Sequence, residues 1–66
     1  MITPAQIAAH IASGLDGNYN DSIERGVRAN AEGTLMMIDL TDEETGSITE
    51  SFIVAVVSAP APRRTL

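Results

Sequence analysis

Six carboxylates and no basic side chain lie between Arg28 and Arg63, and five of the six, Asp39, Asp42, Glu43, Glu44 and Glu50, fall in the stretch DLTDEETGSITE. Paired carboxylates are the groups of general acid–base chemistry, but that chemistry needs a pocket that drives two pKa values apart. Here the acids straddle what reads as the tip of a β-hairpin, surrounded by water. A one-signed exposed run in that setting attracts cationic partners and also keeps a small protein soluble.

The same residue types raise the question of calcium, because oxygen ligands at alternate positions can wrap a hard cation. The stretch Asp39 to Glu50 has acidic ends but carries Gly46 within an alternating strand pattern. The stretch Asp16 to Val27 alternates Asp16, Asn18 and Asn20, yet it has Asp21 where such a loop turns on glycine and Val27 where it needs a bidentate glutamate. No metal ligand and no cofactor are assigned. His10 is the only imidazole and no motif sets a Ser or Cys nucleophile beside it, so it reads as a surface or boundary helix residue. Cysteine is absent, which removes disulfides and, with one histidine, leaves too few ligands for zinc.

The 66 residues form one small domain, expected over 1–58, in which only about 60% of the unfolded chain's surface can be buried. The net charge of −5, with no lysine, argues against direct binding of nucleic acid, which relies on cationic side chains displacing counterions. The N-terminus lacks a basic region followed by an apolar run, and no apolar stretch approaches the roughly 18 residues of a membrane span. A cytoplasmic location without membrane contact is therefore expected.

The elements that position the acids can be read in turn. Thr3 as N-cap, Pro4 at the first position and Gln6 as the other half of a capping box open a helix over residues 4–13, with Ile7, Ala8 and Ile11 inward and Gly14 as its left-handed stop. DGNYNDS is dense in turn formers and reads as a loop. Residues 22–31 fit both a strand and a helix, with Gly26 in mid-segment favouring the strand. TLMMIDLT and SITESFIVAVV form a hairpin turning at Gly46. A three-residue loop ending there pairs Met36 with Val54, Ile38 with Phe52 and Leu40 with Glu50 on one face, and Leu35 with Ala55 and Met37 with Ile53 on the other. A turn at Glu32-Gly33 would set Val27 beside Ile38 and Ala29 beside Met36.

The expected fold is α+β, one helix packed on a three-stranded antiparallel meander (α-β-β-β), over Val27, Ala29, Met36, Ile38, Phe52, Val54 and Val56. The far face keeps an apolar patch, Leu35, Met37, Ile53, Ala55 and Val57, which marks an interface, either of a homodimer or with a larger partner. The segment SAPAPRRTL alternates proline with alanine and reads as an extended tail over 59–66.

In its size, acidity, lack of cysteine and α-plus-meander pattern over residues 2 to 57, the chain resembles the small acidic proteins of phages and mobile elements, and in particular the anti-CRISPR class. No diagnostic motif aligns, so no residue roles are carried over. The resemblance implies a phage-encoded inhibitor in the host cytoplasm that blocks the DNA-binding surface of a CRISPR effector subunit. The leading expectation is a non-enzymatic binding protein whose acids, Asp39, Asp42, Glu43, Glu44 and Glu50, occupy a basic protein surface in place of phosphates. The alternative is a small homodimeric structural or assembly protein that works through the apolar sheet face.

Overall fold

The computed structural model describes residues 1–60. Helix α1 (Pro4–Leu15) is followed by strands β1 (Tyr19–Asn20), β2 (Arg25–Glu32), β3 (Leu35–Thr41) and β4 (Ile48–Ala55), which form one antiparallel sheet in the order β1-β2-β3-β4. The class is α+β, and the sheet has four strands rather than the expected three. Of the tail expected over 59–66, residues 61–66 lie outside the described residues.

The helix begins where the capping signals place it. Thr3 Oγ1 accepts the Gln6 N–H at 3.2 Å and Gln6 Oε1 accepts the Thr3 N–H at 2.8 Å, so two donors at the helix start are satisfied reciprocally. The stop at Gly14 is not realised. The helix runs through Gly14 to Leu15, and Asp16 caps it in an extended conformation, its N–H bonded to Ala12 O at 2.9 Å. The positive φ falls instead at Gly17.

Tertiary bonds explain the displacement. The Gly17 N–H donates to Val27 O, the Val27 N–H donates to Asn18 O, and the Asp16 carboxylate accepts the Ala29 N–H at 2.9 Å. Residues 16–20, expected as loop, thus close the outer edge of β2, with Tyr19 and Asn20 forming β1. Residues 25–32 are strand, which settles the ambiguity of that segment.

The β3–β4 pairing has the expected register from Leu35↔Ala55 through Leu40↔Glu50. It is reached by a different local route. The turn spans four residues between Asp42 and Ser47, and Thr49 is an extra residue opposite the Leu40/Thr41 step, a β-bulge that restores the parity. The β2–β3 register differs from expectation by two. Val27 pairs with Leu40 and Ala29 with Ile38, because Gly33-Thr34 forms the turn with the positive φ at Gly33, its first central position. A shift of two residues preserves which side chains share a face, so the apolar face remains common to all three long strands.

The core is small. Ala8, Ala12, Val27 and Met36 are its buried hydrophobic side chains, with Ala29, Ala31, Ile38 and Val56 packed beside the cluster of Ala8, Ala12 and Met36. The alanines are the innermost helix residues, and Ile7 and Ile11 flank them about one-third exposed. The helix packs on β2 and β3. Phe52 and Val54, expected beneath it, stay 51% and 39% exposed, and every residue of β4 is exposed. No helix of the described residues is long and apolar enough to cross a membrane.

Gly26 pairs with Thr41, and a Cβ built there would lie 2.6 Å from Thr41 Oγ1. We expect Gly26→Ala to cost about 1–3 kcal/mol through this overlap. In a urea-unfolding double-mutant cycle with Thr41→Ala, the two changes should couple favourably by at least about 0.5 kcal/mol. Simple additivity would place the effect of Gly26→Ala elsewhere.

Candidate functional site

Two turns of the same construction lie at one end of the sheet. In the β3–β4 turn, Asp42 Oδ1 accepts the N–H groups of Glu44 at 2.8 Å and Thr45 at 3.0 Å, and Gly46 follows at φ 74°. In the β1–β2 turn, Asn20 Oδ1 accepts the N–H groups of Ser22 at 2.9 Å and Ile23 at 3.2 Å, and Glu24 follows at φ 56°. Each is opened by an Asx side chain that bonds the backbone two and three residues on, and each closes through a left-handed residue. Because Gly26 pairs with Thr41, the start of β2 adjoins the end of β3, and both turns come to the same edge.

The acidic cluster therefore differs from the one expected. Asp42, Glu43 and Glu44 form the tip, with Glu43 and Glu44 exposed and Asp42 half-buried in its structural role. Asp21 and Glu24 join them from the other turn, although nothing in their local sequence separates them from ordinary loop acids. Their membership depends on the register that brings the turns together. Tyr19 reports the field there. Its phenol is harder to ionise than usual, through partial desolvation first and then the charges of Glu43, Glu24 and Asp21. Arg25 is the cation at this end; its guanidinium donates to Glu24 O at 3.0 Å and helps to lower the Asp42 pKa.

Asp39 and Glu50 stand apart from that cluster, back within β3 and β4 and on opposite faces of the sheet. Asp39 is half-buried, accepts a hydrogen bond from Ser51 Oγ at 2.7 Å and lies opposite Arg28. An open depression of about 480 Å³ on this far face is lined by Asp16, Arg28, Asn30, Met37, Asp39 and Ile48, which sets one guanidinium among two carboxylates. Farther along the same face, Leu35 pairs with Ala55 and Met37 with Ile53, and Leu35, Ile53 and Val57 are 40%, 69% and 79% exposed. His10 lies exposed on the helix. The oxygens considered for calcium at Asp16 and Asn20 are turned to backbone N–H groups, and no group of three or more His, Cys, Asp or Glu side chains is arranged to hold a metal among the described residues.

The shared turn geometry makes Glu24 the costly member of the pair, since a side chain at positive φ carries roughly 1–2 kcal/mol of strain. Glu24→Gly should raise the unfolding free energy by about 1 kcal/mol, and Gly46→Ala should lower it by a similar amount. Equal signs for the two substitutions in urea titrations would contradict the assignment.

The backbone N–H groups of Thr45 and Glu44 hold the Asp42 pKa below the ordinary aspartate value. A carboxyl depressed in the folded state adds stability that is complete above its unfolded pKa, about 4, and is lost as pH falls through the folded value. Asp42→Asn keeps the accepting oxygen and removes the titration, so its stability should decline less than wild type below about pH 4. Superimposable acid-unfolding curves would refute this. No family model, curated protein or solved structure matches the chain.

Proposed function

We propose that the chain is a non-enzymatic binding protein that presents an acidic end to a basic surface on another protein. The observation that supports this reading is the convergence of two hydrogen-bonded turns, which brings Asp21 and Glu24 to the end that carries Asp42, Glu43 and Glu44, with Tyr19 in the field of Glu43, Glu24 and Asp21. Among the described residues, five carboxylates against the cation of Arg25 give that end a negative field, and such a field speeds encounter with a positive patch and orients it. Tyr19, 45% exposed among the acids, adds an aromatic contact of the kind that anchors interfaces.

Where the basic surface normally holds nucleic acid, the carboxylates take the places of backbone phosphates and the protein acts as an inhibitor. A CRISPR effector subunit in the host cytoplasm is one partner of this type. Asp39 and Glu50 contribute to the net charge rather than to the contact, since they are set back in the strands.

Charge reversal at Asp21, Glu43 and Glu44 leaves Asp42, and hence the turn, intact. Immobilised wild-type protein should retain a basic partner from an extract of the source cells at low salt and release it as ionic strength rises, and the triple Lys variant should retain at least ten-fold less. The captured partner should lose its nucleic-acid binding when wild type, but not the variant, is added. Equal retention by both proteins would sink the proposal.

A further inference from the structure

The two edges of the sheet are unlike. The β2 edge is covered by residues 16–20, and the outermost strand there, β1, is only two residues long. Strand β4 runs for eight residues, and among the described residues no strand lies on its outer side. The direction of its hydrogen bonds follows from the ladder. The Val56 N–H donates to Thr34 O, so the even-numbered residues 50–56 face β3, and the N–H and C=O groups of Ser51, Ile53 and Ala55 point outward.

Natural edges are usually blunted by proline, lysine, inward charge or brevity. Between Ser51 and Val57 this edge has none of these; the bulge at Thr49 lies at its start, and the segment SFIVAVV is apolar on both faces. Beside α1, the side chains of Phe52 and Val54 stand exposed on the helix side, and Ile53 stands exposed on the other.

We propose that two copies of the chain associate by antiparallel pairing of β4 with β4, about a two-fold axis at Ile53. The partner is a second copy because the edge is self-complementary in one register. Antiparallel pairing about an axis normal to the sheet keeps both helices on one face, so helix-side residues meet helix-side residues. With Ile53 opposite its own copy, the outward groups of Ser51 bond those of Ala55, and Phe52 packs against Val54 of the other copy. A register shifted by two toward the turn sets Ile53 against Ser51 and Val54 against Glu50 and loses the apolar match, whereas the opposite shift sets Phe52 and Ser51 against Val56 and Val57, beyond the end of β4 at Ala55, and shortens the ladder. The arrangement also suits a chain of net charge −5, because it sends the two acidic ends to opposite extremes of an eight-stranded sheet. This contact is independent of the acidic end and leaves it free.

Sedimentation velocity over a concentration series, with amide hydrogen exchange followed by NMR, tests the proposal on the unmodified chain. A concentration-dependent dimer is expected, with the Ser51, Ile53 and Ala55 amides exchanging at least ten-fold more slowly at high concentration. Ile53→Lys, which sets two like charges side by side on the axis, and Ile53→Pro, which deletes an outward N–H that no neighbour among the described residues uses, should both give monomers with an unchanged circular dichroism spectrum. A folded wild-type monomer at every concentration overturns the proposal, as does a dimer whose outward amides exchange as they do at dilution. Should either variant unfold, the exchange result on the unmodified chain decides alone.

Discussion

An α-helix with its side chains is about 10 Å across, and neighbouring strands lie about 4.8 Å apart, so one helix covers about two strands. The described residues form one helix and three long strands. The choice of which pair to cover is made by the short chain between α1 and β2. Asp16 both caps the helix and bonds the Ala29 N–H, which fixes the helix end against β2. The helix then rests on β2 and β3 through Ala8 and Ala12, whose small side chains allow a close approach to Met36. Everything unusual about β4 follows from its lying outside that footprint.

The other end of the sheet is governed by a second economy. One turn design is used twice, with Asn20 and Asp42 in the same place, and the strand register brings the copies together. Repulsion among the acids is reduced because the Asp42 charge is spent on backbone N–H groups rather than left free in water. Arg25, half-buried between the turns, reduces it further, although its Nε lacks a hydrogen-bond partner. Glu24 retains a side chain at a backbone position that glycine would occupy without strain.

The legible parts of this fold are those whose signals are local. The capping box named the helix start from Thr3 and Gln6 alone, and the alternation of Met36, Ile38, Phe52 and Val54 fixed the hairpin register even though the turn has four residues instead of three. Strand β1 was hidden because Gly17, Asn18 and Asn20 are turn formers by type, and their pairing is with β2, a partner that no local pattern names. The helix footprint was hidden for a similar reason, since face parity says which side of a strand is apolar and not whether a helix reaches it. At the candidate site the tip acids Asp42, Glu43 and Glu44 are legible as a run, and the hairpin register places Asp39 and Glu50 on opposite faces beside the turn. Asp21 and Glu24 are not legible, because they join the tip only through the β1–β2 pairing.

The bulge at Thr49 also bears on how this hairpin can vary between descendants of the chain. A three-residue turn with a regular ladder and a four-residue turn with one spare residue deliver the same pairing from Leu40↔Glu50 onward. Loss of the one spare residue would remove the bulge and leave Leu40 opposite Glu50, so a single deletion near the tip is absorbed before it reaches Phe52, Ile53 and Val54. The acidic end is free to change length and sequence while the strand beneath it keeps its faces, so the two surfaces of the hairpin can evolve on separate schedules.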